Sequence, residues 1–97
     1  MKMAYVITEH TRKQARKLGV TVKPSTRQGK KIDVFKAGEK VASIGDRNCK
    51  DFGTFLVMEA KGQVPRATAD DRRRAYKARH GSYPVNSPAY WADNLLW

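Results

Sequence analysis

The sequence predicts an α+β fold: a small antiparallel sheet, a hairpin plus a third strand, packed with three or four short helices. Three observations predict it. Residues 31–36 and 40–44 alternate apolar and polar around an Ala37-Gly38-Glu39 turn, the pattern of a half-buried hairpin. Several other segments are bounded by capping residues, glycine and proline, the punctuation of short helices. The length of 97 residues supports one compact domain, 1–97, with a modest core.

The elements follow in order. Residues 3–7 read as a short strand or extended arm. Thr11 caps a helix ending at Leu18, with Gln14 completing a capping box and Gly19 supplying a left-handed stop. Ala15 and Leu18 form its inward side. Residues 20–22 give a third strand, joined to the hairpin by a basic loop over 23–31. A helix over 54–61 starts at Thr54 or Asp51 and buries Phe55, Met58 and either Phe52 or Leu56. Thr68 caps the next helix, 68–80, whose Asp70 and Asp71 suit the positive end of its dipole. Ser87-Pro88 opens the last helix, 88–97, which is apolar on most sides.

Charge divides the chain. Twenty Lys and Arg against nine Asp and Glu give a net charge of +11. Residues 1–50 hold +9 of it; residues 51–97 hold +2 and most of the aromatic mass. Such an excess is more than the charge of about 2–8 that solubility asks of a small domain, and it favours a polyanion as partner. Arg12, Lys13, Arg16 and Lys17 occupy one predicted helix, and Lys23, Arg27, Lys30 and Lys31 surround the sheet loop. Dispersed cations of this kind neutralise phosphates, release counterions and bind with little sequence preference. Ser25, Thr26 and the backbone of Gly29 offer further phosphate contacts.

A second cluster lies at 69–80. Arg72, Tyr76 and Arg79 share one helical face, and Arg73, Lys77 and His80 share the adjacent one. Asp70 stands four residues before Arg74, at ion-pair spacing. This helix either meets phosphate or an acidic patch on a partner, or is a surface helix with an intrahelical salt bridge and Tyr76 packed into the core. The C-terminal aromatic helix reads chiefly as core, with Trp91, Leu95 and Trp97 as candidates for a subunit interface. It also leaves self-association open.

Other classes find little support. No apolar stretch approaches the ~18 residues of a membrane span, and the start lacks a signal-peptide core. Cys49 is the single cysteine, which excludes an intrachain disulfide framework and a cysteine-based zinc site. No cofactor or metal is expected. Asp51 with Glu59-Ala60-Lys61 faintly resembles a nuclease metal site, but that motif belongs on a strand and here falls in a predicted helix. The expected location is the cytoplasm of a cell, or the inside of a particle assembled there, and the chain reads as non-enzymatic.

The segments at 17–26 (Lys-Leu-Gly-Val-Thr-Val-Lys-Pro-Ser-Thr), 30–35 (Lys-Lys-Ile-Asp-Val-Phe) and 41–45 (Val-Ala-Ser-Ile-Gly) form a recognisable series. It continues at 69–80 (Ala-Asp-Asp-Arg-Arg-Arg-Ala-Tyr-Lys-Ala-Arg-His) and 90–97 (Tyr-Trp-Ala-Asp-Asn-Leu-Leu-Trp). Over about residues 12–97 the chain resembles a family of small basic proteins of tailed phages and large DNA viruses. Members often carry a longer basic insert before the final helix, where this chain has only residues 81–87. The resemblance carries no established activity. It implies a viral protein acting on the genome or in the particle. The expected function is phosphate-directed nucleic-acid binding, with DNA favoured over RNA; the alternative is a structural virion protein, a minor capsid or cement component.

Overall fold

The computed structural model describes residues 5–97. Its order is α1 (Glu9–Leu18), β1 (Thr21–Pro24), β2 (Lys30–Lys36), β3 (Glu39–Asp46), α2 (Phe52–Ala60), α3 (Thr68–Arg79) and α4 (Pro88–Leu95). The predicted α+β class holds: four helices accompany a three-stranded antiparallel sheet in the order β1-β2-β3. Of the arm expected at 3–7, residues 3 and 4 lie outside the described residues, and Tyr5, Val6 and Ile7 form no strand.

The hairpin turns on Ala37 and Gly38, which have φ of 52° and 82°. Two successive positive φ values give the turn whose twist matches the strands. The central strand β2 is buried on both faces. Ile32 and Val34 are fully covered, and Asp33 between them projects to the opposite side. There the Ser25 and Ser43 hydroxyls each donate to Asp33 at 2.6 Å. Burial alone would push the Asp33 carboxyl up. These two hydroxyls and the Thr26 N–H outweigh it and hold the group below its usual range.

The main core joins Ile32, Val34 and Ile44 of the sheet to Trp91, Leu95 and Leu96 of the C-terminal segment, with Ala15 of α1. Thr11 is part of this seam. It does not cap α1: Thr8 does, accepting the Thr11 N–H at 3.4 Å. The Thr11 hydroxyl instead donates to Leu95 O at 2.8 Å, fully buried. Gln14, expected in the capping box, donates to Asn94 O at 3.1 Å. Both polar side chains thus tie α1 to α4. Close packing explains the extended start. Gly53 of α2 faces Thr8 so tightly that a Cβ there would collide with the threonine side chain.

The remaining caps divide between expectation and correction. Asp51 caps α2, accepting Thr54 N–H at 2.8 Å, and Ser87 caps α4, accepting Tyr90 N–H at 3.2 Å. Thr68 caps nothing; its hydroxyl donates to Pro65 O at 2.6 Å. The start of α3 is satisfied from elsewhere in the chain. The two oxygens of Glu59 accept the Ala67 and Ala69 N–H groups at 3.0 and 2.7 Å. A carboxylate at a helix N-terminus also meets the positive end of the dipole. No helix among the described residues is long and apolar enough to cross a membrane.

Candidate nucleic-acid interface

Helix α1 sets its cations against its core. At 100° per residue, Arg12, Arg16, Lys13 and Lys17 fall within an arc of about 140°, roughly opposite Thr11, Ala15 and Leu18. Thr11 and Ala15 are buried and Leu18 is half-buried, while all four cations are exposed. Arg16 pairs with Glu9 at 3.2 Å. Arg12, Lys13 and Lys17 have no ion-pair partner among the described residues.

Helix α3 continues the cationic surface but neutralises much of its own charge. Arg73 pairs with Asp70 at 3.7 Å and Arg74 with Asp71 at 3.2 Å. The sequence expectation of an Asp70–Arg74 pair is therefore corrected: both contacts run three residues apart. Lys77 crosses to α4 and meets Asp93 at 2.6 Å. Arg73 also lies 4.0 Å above the Phe52 ring, a cation–π contact that holds it over α2. A polar cleft of about 650 Å³ lies where Gln14 of α1, Arg73 and Lys77 of α3 and Asn94 of α4 converge. Asp70 and Asp93, the partners of Arg73 and Lys77, line the same cleft, and none of the α1 cations does. His10 lies near cations of both helices: burial first, then Arg73 and Lys13, push its imidazole below the ordinary histidine value, with Asp51 opposing.

The sheet loop behaves differently. Lys23 is exposed, its ammonium 5.2 Å from the centre of the Phe35 ring. Arg27 is exposed and Lys30 half-buried. Arg27 shares a concavity of about 840 Å³ with Thr26, Gln28 and Gly29 of its own loop and with Arg47 and Asn48 of the loop after β3. Arg47 N–H donates to Gly29 O at 3.1 Å, which closes the two loops together. Sequence reading missed Arg47 because it stands alone between Asp46 and Asn48, far from any basic run. Ser25 is not free for phosphate, since its hydroxyl serves Asp33 and it accepts the Arg27 N–H at 3.0 Å.

Lys31 is corrected outright. It is not a surface cation: its side chain is 4% exposed, and its ammonium meets Asp51 Oδ2 at 2.8 Å. Asp51 is 1% exposed and also accepts the Tyr5 hydroxyl at 2.7 Å. Burial pushes the Asp51 carboxyl up, but Lys31, the Thr54 N–H and the Tyr5 hydroxyl outweigh it and hold it below the usual range. The same contact, with burial as the larger cause, pushes the Tyr5 phenol up. Asp51 thus anchors the N-terminal arm to β2 and caps α2, and Glu59 caps α3.

The second half of the chain builds an aromatic groove of about 790 Å³ between α2, α3, α4 and the loop after β3. Tyr76 stacks on Trp97 at 4.4 Å and 7°, and on His80 at 4.1 Å and 19°. Tyr83 reaches His80 Nδ1 through its hydroxyl, and Phe55 lines the groove beside Met58. All five rings are half-buried. The Tyr76 phenol is pushed up to about 12 by burial and by the neighbouring Asp93 and Tyr83. Lys50, Arg72 and Arg79 border these rings, with Arg72 5.7 Å from the Phe55 ring centre. Arg72, Tyr76 and Arg79 share this side of α3, as their spacing predicts; His80 joins them instead of following Arg73 and Lys77.

The three candidate interface residues separate. Trp91 and Leu95 are 3% and 0% exposed and belong to the core of the chain itself, so neither presents a surface to a partner. Trp97 is half-buried, packed on Tyr76 at the groove. Comparison of the chain with protein-family models, with curated proteins and with solved structures finds no match to any of them.

Proposed function

We propose that the protein binds nucleic acid through its phosphates, with little sequence preference and without catalysing a reaction. The observation that carries this is the face of α1. Arg12, Lys13 and Lys17 stand exposed with no carboxylate answering them among the described residues. Exposed cations without a carboxylate partner supply affinity by releasing counterions from phosphate. Phosphate contacts position a protein without reading bases, and DNA is the favoured polyanion. The resemblance of the sequence to a family of viral proteins supports a place for this binding on a genome or within a particle.

The test is binding to duplex DNA across a salt series. Affinity is expected to fall linearly in log–log form as salt rises. Absence of binding at low salt, or a flat salt dependence, sinks the proposal. A structural place in the particle is the second reading. Trp97 favours it, as the one predicted anchor left partly exposed. That reading requires the chain to appear in stoichiometric amount in purified particles by mass spectrometry.

A further inference from the structure

We infer that the aromatic groove between α2, α3 and α4 holds an unpaired base of a single-stranded nucleic acid, with its flanking phosphates on Arg72 and Arg79. The inference rests on the phosphate-binding reading above and adds a strand preference to it.

Three features converge. The groove, at about 790 Å³, lies within the range of about 300–1,000 Å³ typical of sites that enclose small ligands or ligand fragments. Its lining is aromatic in a particular way. Tyr76, His80 and Trp97 already form a continuous stack, and Tyr83 and Phe55 stand on the same cavity. Every base has a π-face, so the rings around Tyr76, whose own faces are occupied, can accept any base by stacking.

Charge complementarity names the occupant. Arg72 and Arg79 are seven residues apart on α3, about 10 Å along the axis, with Tyr76 between them. Tyr76 is itself enclosed between Trp97 and His80, so a base would stack beside it, at an end of that stack or on Tyr83 and Phe55, within reach of Arg72 and Arg79 for its neighbouring phosphates; Lys50 adds a third positive group across the groove. One carboxylate, Asp46, also lines it, its Oδ1 accepting the Asn48 N–H at 2.8 Å. Unlike Arg73, Arg74 and Lys77, neither Arg72 nor Arg79 is engaged by a carboxylate among the described residues. A purely apolar ligand would leave these guanidinium groups unused. In duplex DNA the bases are paired and stacked, so only the phosphates would be available.

The test compares two strands of equal length and phosphate count: an oligothymidylate and the same strand with every base removed. The oligothymidylate is expected to bind about tenfold more tightly, the scale of base–aromatic stacking. It is also expected to quench tryptophan fluorescence through Trp97, while the abasic strand leaves the fluorescence unchanged. Tyr83→Ala, in the loop after α3, should bring the two strands toward equal affinity, and Arg79→Ala should weaken binding of the oligothymidylate. Replacing Arg12, Lys13 and Lys17 with alanine should weaken both strands equally and preserve their ratio. Equal binding of the two strands by the unaltered protein, with no quenching, overturns this inference alone. Failure of both strands and of duplex DNA to bind at low salt overturns the phosphate reading beneath it as well.

Discussion

Helices α1 and α3 are both short and both cationic, yet their charges meet different fates. On α1, four cations oppose one glutamate, and only Arg16 is paired. On α3, five cations share their helix with Asp70 and Asp71 and face Asp93 of α4, so Arg73, Arg74 and Lys77 are each answered. The two left over, Arg72 and Arg79, turn toward the aromatic groove. Positive charge therefore does two jobs. On α1 it is exposed and mostly unpaired, the surface proposed above to meet phosphate. On α3 most of it is answered, by Asp70 and Asp71 within the helix and by Asp93 of α4, and the remainder borders a cavity. Lys31 is the extreme of the second kind, a cation wholly taken into the core.

The largest break in this comparison comes from Lys31. Lys31→Met leaves the Asp51 carboxylate buried without its counter-charge, a change that typically costs about 3–5 kcal/mol. Lys17→Met on α1 should stay within about 0.5 kcal/mol. Urea unfolding of the two variants measures the difference, and comparable stabilities would show that burial of Lys31 confers no special dependence.

Acid sharpens the same point. A carboxyl held below its unfolded value stabilises the fold above that value, about pH 3.9. This contribution disappears as pH falls through the lower folded value. His10, also held low, lends stability above about pH 6.5 that begins to fail in milder acid. Stability should therefore decline in two stages from pH 7 downward. His10→Phe should remove the first stage while leaving the second, as followed by circular dichroism.

Next in size is the effect on binding. Replacing Arg12, Lys13 and Lys17 together with alanine should reduce the magnitude of the log–log salt slope on duplex DNA by about 2.7, if each contacts one phosphate. Arg74→Ala should shift the slope far less, because Asp71 already offsets that guanidinium. Equal changes from the two substitutions would erase the distinction between the helices.

A smaller effect is expected at the seat of α1. Thr11→Val removes the hydroxyl that donates to Leu95 O and strands a buried carbonyl, at a cost of about 1–3 kcal/mol in urea unfolding. DNA affinity of the folded protein should be unchanged. The smallest effect belongs to Asp71→Asn. It frees Arg74 and should raise duplex affinity by about twofold or less, in keeping with the weakness of exposed ion pairs.

Much of the fold was legible from local signals. The hairpin was visible in the alternation of 31–36 and 40–44 because a half-buried strand demands that period. The last helix was visible at Ser87-Pro88 because a capping hydroxyl and a fixed φ are local requirements. Thr11 and Thr68 were misjudged for a shared reason. Each has the chemistry of a cap, but its hydroxyl meets a carbonyl, Leu95 O in one case and Pro65 O in the other. The actual support for α3 comes from Glu59, in the preceding helix, which no cap pattern adjacent to residue 68 reveals.

The candidate site divides in the same way. The exposed cations of α1 could be read from sequence because amphipathic spacing sorts charge from core within one helix. Arg47, Lys50 and the groove could not, because they depend on loops and helices brought together from distant parts of the chain.

By itself, the sequence determined the element types, the surplus of positive charge and its concentration in the first fifty residues. These follow from local periodicity, capping chemistry and composition. Only the tertiary structure decided which cations remain free. Lys31 and Lys17 carry the same charge and stand in the same basic half, yet one meets Asp51 in the core and the other meets water. A lysine's role depends on whether a carboxylate lies within reach and whether solvent does, and both are properties of packing.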